Sequence, residues 1–120
     1  MKVFRLRPEH EAAFEKAAVE DFEIRAAANL RHFLPSATEG QDDSQLYELL
    51  REAQRKAEPH GLISELDITR YAGVMLMLGN EFEQDARHDW CRVVLQSDKP
   101  ANLRSLVLLE NAQNLYEIQR

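Results

Sequence analysis

Cysteine occurs once in the 120 residues, at Cys91, so no internal disulfide can brace the chain and a reducing compartment is expected. No apolar run reaches the roughly 18 residues a membrane span requires. The amino-terminal "MKVFRLRPEHEAAF" also lacks the continuous apolar stretch and small-residue cleavage site of a secretory signal, so the expectation is a cytoplasmic protein. Positive charge is outnumbered: 15 Lys and Arg against 21 Asp and Glu give a formal net charge of -6, which argues against nucleic acid or an anionic membrane as partner, since both need a concentrated basic field. β-Branched residues never gather into alternating runs, and glycine and proline sit mostly where helices would be interrupted. No glycine-rich phosphate cradle, nucleophile elbow or paired-cysteine metal knuckle occurs.

What is present is an apolar content of 44%, enough for one domain with one core. The pattern predicts an all-α, single-domain compact bundle of about five helices spanning residues 1–120. Pro8 suits the first turn of a helix that Pro35 would stop after Leu34. Phe14, Ala18, Phe22, Ala26, Leu30 and Phe33 recur at three- and four-residue steps and predict its buried stripe, with Glu15, Glu20, Glu23 and Arg25 largely outside it. Residues 35–43, "PSATEGQDD", have loop composition and are expected to be the mobile segment.

Asp43 or Ser44 can cap a second helix with Leu46, Leu49, Leu50, Ala53 and Ala57 inward, and Gly61 can end it in the left-handed conformation. "ISELDI" then offers Ser64 as cap, an acid at Asp67 and a staple from Ile63 to Ile68, so a third helix begins near Glu65. Ile68, Tyr71, Ala72, Met75 and Leu78 form one face of it, while Val74, Leu76 and Met77 occupy the other sides, which predicts a helix surrounded by others. Gly79-Asn80 ends it, and Phe82 can fold back onto the core. Asp85 is a candidate cap for a fourth helix with Ala86, Trp90, Val93 and Val94 inward, and a fifth, from about Pro100, carries Leu103, Leu106, Val107, Leu109, Leu115 and Ile118.

The groups with chemical potential all have plainer readings. Glu81, Asp85 and His88 would share a helix face and could ligate a divalent ion only if the backbone ran through Gly79-Asn80, and no second ligand pair supports them. Cys91 stands three residues after His88, within reach of a thiolate–imidazole pair, yet a helix burying Trp90 and Val94 explains an apolar cysteine beside them. His60 suits the negative end of the second helix. The residues therefore predict no catalytic site, no metal and no cofactor, and point to protein recognition. Acids crowd the first helix at Glu20, Asp21 and Glu23 and surround the turn at Glu81, Glu83 and Asp85. With Phe82 these are the candidate partner-binding residues, while Phe14, Phe22, Tyr71, Met75, Leu78 and Trp90 are the expected core.

Two segments carry a family likeness: "VFRLRPEHEAAF", over Phe4–Phe14, and "HGLISELDITRYAGVMLMLGNEFEQDARHDW", from His60 to Trp90. Together they resemble small helical proteins encoded beside type VI secretion effectors and their adaptor chaperones. Those proteins carry an arginine-proline start and a pattern close to "YGI-SE-D-RF--LM---G-DFD-----W". His60 replaces the family's aromatic, and Glu81-Phe82-Glu83 stands for its acidic-Phe-acidic turn. The resemblance implies a co-chaperone that helps an adaptor hold or load an effector. An immunity protein against a cognate toxin is the alternative it leaves open, and an uncharacterised small enzyme using His88 and Cys91 is the second.

Overall fold

The computed structural model describes the backbone of residues 8–119 and the side chains of residues 16–119. Six α-helices follow one another: α1 (Pro8–Phe33), α2 (Pro35–Thr38), α3 (Asp43–Ala57), α4 (Glu65–Leu78), α5 (Asp89–Leu95) and α6 (Ala101–Gln119). Single 3-10 turns lie at Glu58–His60, Phe82–Gln84 and Ala86–His88, and there is no strand among the described residues. The fold is an all-α single domain.

Helix α4 is the centre of the bundle, packed against α1, α3 and α6. Its sequence, apolar on every side, requires this, because no face of it can be left to water at low cost. Ile68, Tyr71, Ala72, Val74, Met75 and Met77 are all buried. Gly73 lets neighbours come closer still: a Cβ there would stand 3.1 Å from methyl carbons of both Leu34 and Leu109. Contacts fix the helix directions. Arg25 pairs with Glu65, while Leu30 and Leu34 reach Gly73 further along, so α1 and α4 run parallel. Asp67 meets Ser105 and Gly73 meets Leu109, so α6 is parallel to α4 as well. Helix α3 runs antiparallel to α1, with Arg51 on Glu23 and Arg31 on Asp43.

The helix boundaries have local causes. The Ser64 hydroxyl accepts from the Asp67 N–H and starts α4 as expected. Gly61 (φ 76°) closes the 3-10 turn that extends α3, and Gly79 (φ 105°) ends α4; both occupy backbone that side chains disfavour. Asp42, not Asp43 or Ser44, caps α3, in a reciprocal box with Gln45. The segment 35–43 is not loop throughout. Pro35 opens the short helix α2, and Thr38 is buried there, its hydroxyl donating to the Leu34 carbonyl at 2.8 Å. Asp85 caps the turn Ala86–His88 instead of α5, which begins at Asp89. Arg104 of α6 ties the lower loops together, donating from Nη1 to the carbonyls of His60 and Leu95 and from Nε to that of Lys99.

Several expected core positions are corrected. Ala18, Phe33, Ala86, Val93 and Ile118 are exposed, and Leu103 is at the margin. Ala18 is exposed because α1 enters the bundle only at Phe22: every side chain from Lys16 to Asp21 faces solvent. Phe22, Tyr71 and Met75 are core residues, Leu78 and Trp90 are half-buried against the core, and the side chain of Phe14 lies outside those described. Glu23 is the reverse case, buried where an exposed acid was expected.

Candidate functional site

The turn after α4 folds back on the helix it terminates. Phe82 is buried against Tyr71, ring centroids 5.0 Å apart. That places the next side chain, Glu83, between two partners: the Tyr71 hydroxyl donates to its Oε2, and His60 Nε2 lies 2.7 Å from its Oε1. Burial, together with this bond to a carboxylate, raises the Tyr71 phenol well above its usual range. Burial also pushes the Cys91 thiol up to about 12, with the Glu83 charge adding to it. Cys91 is fully buried and belongs to the core. His88 is buried, and its Nδ1 has no hydrogen-bond partner; the nearest carboxylate oxygen, on Asp85, stands 3.6 Å away. Trp90 Nε1 is likewise buried and unpartnered.

The remaining acids of the turn are matched with cations. Glu81 pairs with Lys56 at 2.9 Å, and the same ammonium donates to the Asn80 carbonyl at 2.6 Å. Asp85 accepts from the Arg87 side chain and backbone N–H, which holds its carboxyl far below the usual range. On α1, Asp21 pairs with Arg25 at 2.8 Å, Arg25 with Glu65 at 3.1 Å, and Glu20 lies 4.0 Å from Lys16. Glu23 is sealed beneath Arg51, whose Nε donates to Oε1 at 3.2 Å and whose Nη2 stands 3.0 Å from Oε2. The second contact is poorly aligned for a hydrogen bond, so it is a contact of charges.

The structure therefore does not gather the candidate partner-binding residues into one patch. The α1 acids connect through Arg25 to the first turn of α4, and Glu81 follows its last turn, a helix length of about 20 Å away. Phe82 and Glu23 are buried, and Glu83 is engaged inside the fold. Among the described residues, no group of three or more His, Cys, Asp or Glu side chains could hold a metal ion.

A site the residue pattern did not announce lies between α1, α4 and α6. The parallel helices α1 and α6 form the walls, and α4 the floor, of an open groove of about 460 Å³. Phe22, Leu30, Leu66, Leu106 and Leu109 give it an apolar lining, with the Arg25–Glu65 ion pair, Asn29, Thr69, Arg70 and Gln113 as polar points. Phe33 and Leu66, which both line it, are 69% and 54% exposed, unusual for large apolar side chains at one concavity. Arg70 is fixed by Nη1, which donates to the Asn102 carbonyl at 2.9 Å and to Ser105 Oγ at 3.2 Å, while Ser105 in turn donates to buried Asp67 at 2.6 Å. The only sequence signal for this groove was the excess of apolar residues on α1, α4 and α6 over what one core consumes. An apolar groove with a few fixed polar points suits a helix that lays its own apolar face into it.

No helix among the described residues is long and apolar enough to cross a membrane. Comparison of the chain with protein-family models, with curated proteins and with solved structures finds no match.

Proposed function

We propose that this chain is a non-enzymatic, protein-binding accessory factor, a co-chaperone that assists an adaptor in holding or loading a type VI secretion effector. The resemblance of Phe4–Phe14 and His60–Trp90 to proteins of that setting supplies the biological role. The observation that carries protein binding is the apolar groove between α1, α4 and α6, with Phe33 and Leu66 exposed in its lining. Burying such surface against an amphipathic helix of the adaptor or effector provides the affinity. The exposed acids Glu20 and Asp21, beside the groove, affect the rate of encounter with a basic segment more than the final stability of the complex.

The test is co-expression of an adaptor and effector of one type VI cluster with and without this chain. The soluble effector should rise several-fold when the chain is present, and Leu66→Asp should abolish the gain while leaving the melting temperature unchanged. An unchanged effector yield, with no complex on co-purification, overturns the reading. Inhibition of the isolated toxin domain would replace it with the immunity reading.

A further inference from the structure

The charged side chains that line the groove are Arg25, Glu65 and Arg70. Arg25 pairs with Glu65 at 3.1 Å and with Asp21 at 2.8 Å, so that end of the groove is balanced within the chain. Arg70 forms no ion pair among the described residues. Its Nη1 donates to the Asn102 carbonyl and to Ser105 Oγ, and Ser105 is itself locked onto buried Asp67, so the guanidinium is held in place before any partner arrives. Asp67 reaches the cation only through that hydroxyl. Nε and Nη2 make no hydrogen bond among the described residues, and this is the edge that a carboxylate meets side-on with two parallel hydrogen bonds. The surroundings are apolar. Along α4, Leu66 stands one turn before Arg70, and Gly73, against which Leu30, Leu34 and Leu109 pack, stands one turn after it. A wholly apolar occupant would therefore cover a half-buried cation and its free donors without a counter-charge, which opposes binding.

We infer that the groove selects an amphipathic helix carrying a carboxylate on its apolar face, with apolar anchors one turn away on both sides, and that Arg70 is the residue that reads the carboxylate. The inference rests on the protein-binding reading and names the chemistry of the partner. Charge complementarity selects this occupant, because Arg70 is the lining charge that the chain leaves unpaired among its described residues. The walls run parallel to α4, so a helix laid along the groove advances at the same rise per residue. With its Asp or Glu over Arg70, apolar residues three or four positions away fall over Leu66 on one side and over the leucines around Gly73 on the other. From Phe22 to Phe33 the groove follows α1 for about 16 Å, enough for about three turns of the incoming helix. Because Arg70 is already ordered by Asn102 and Ser105, the carboxylate meets a cation that loses little freedom on binding. This acid enters the groove, and is separate from any basic segment that Glu20 and Asp21 attract.

The probe is a phage-displayed library of helices of about 18 residues, randomised on one face, selected on the full-length chain and counter-selected on Leu66→Asp. Retained helices should carry Asp or Glu three or four residues from apolar positions on both sides. For one of them, made as a labelled peptide, changing the acid to its amide should weaken binding to the unaltered chain about tenfold, and binding to Arg70→Gln hardly at all. Both chains are melted alongside, and the selection on the unaltered chain holds even if Arg70→Gln fails to fold. Retained helices without an acid preference, or an acid whose removal weakens binding to folded Arg70→Gln just as much, overturn the reading of Arg70 and leave protein binding in place. A library that yields no Leu66-dependent helix overturns the protein-binding reading and this inference with it.

Discussion

Glu23 shows how a residue's surroundings change its meaning. By composition it is one more acid on an acidic helix, but in the fold it is buried, with Arg51 to balance it among the described residues. Reversing it would set a second cation against Arg51 in a desolvated place, so it does not belong in a surface charge test with Glu20 and Asp21. Arg51→Ala leaves the buried carboxylate without its partner and should cost about 1 to 3 kcal/mol, read from urea midpoints at neutral pH. An unchanged midpoint would mean that water solvates Glu23 after all. Cys91 gives the second prediction at this scale. Its thiol is pushed up to about 12 in the fold, against about 8.5 in an unfolded chain, so between those values the unfolded chain releases a proton that the folded one keeps. Stability tied to Cys91 is therefore complete below about pH 8.5 and falls as pH rises through that window. At pH 8 iodoacetamide should label Cys91 only at the rate of unfolding, and Cys91→Ala should flatten the alkaline loss of stability. Rapid labelling of the folded protein would restore the reactive reading of His88 and Cys91.

At the level of elements, α4 depends on Gly73, where a Cβ would press two leucine methyls at 3.1 Å. Gly73→Val overfills this crossing and should cost about 1 to 3 kcal/mol, more than Gly73→Ala, whose gain in helix propensity of about 1 kcal/mol offsets part of the strain. Thermal melts of the two variants check the order, and a valine variant as stable as the wild type would show that the helices are free to separate. Signals confined to a few neighbouring residues were legible in the sequence: the Ser64 cap, the glycine ends at Gly61 and Gly79, and the all-round apolar α4. Two local signals were present but outvoted. Asp42 with Gln45 fits a capping box, and Pro35, which stops α1, is equally suited to open α2. What could not be read locally was where α1 meets the bundle. Its apolar period continues through Ala18 without a break, so nothing in the spacing separates the exposed residues 16–21 from the buried half. The groove was hidden for the same reason, since it arises from the parallel setting of α1, α4 and α6, which sequence periodicity does not encode. The acidic clusters were legible as charge but not as a surface, because the pairing of Glu81 with Lys56, of Glu65 with Arg25 and of Asp85 with Arg87 depends on the fold or on turn geometry, whereas Asp21 and Arg25, four apart on one helix, could be paired by spacing alone.

Across the whole molecule, protection is expected to be graded from the centre outward. Amides of α4 are surrounded by α1, α3 and α6, and should exchange with solvent only when the entire domain opens. Those at residues 16–21 sit in a helix whose side chains gain nothing from the bundle, so in a lone chain they should exchange far sooner. Hydrogen exchange read by mass spectrometry on peptides covering 16–21 and 66–77 checks the gradient on one sample: the first should be the fastest of the described helices and the second the slowest. A 16–21 peptide that exchanges as slowly as 66–77 would mean that the exposed half of α1 is held by contacts other than those of the bundle, and the gradient would be overturned.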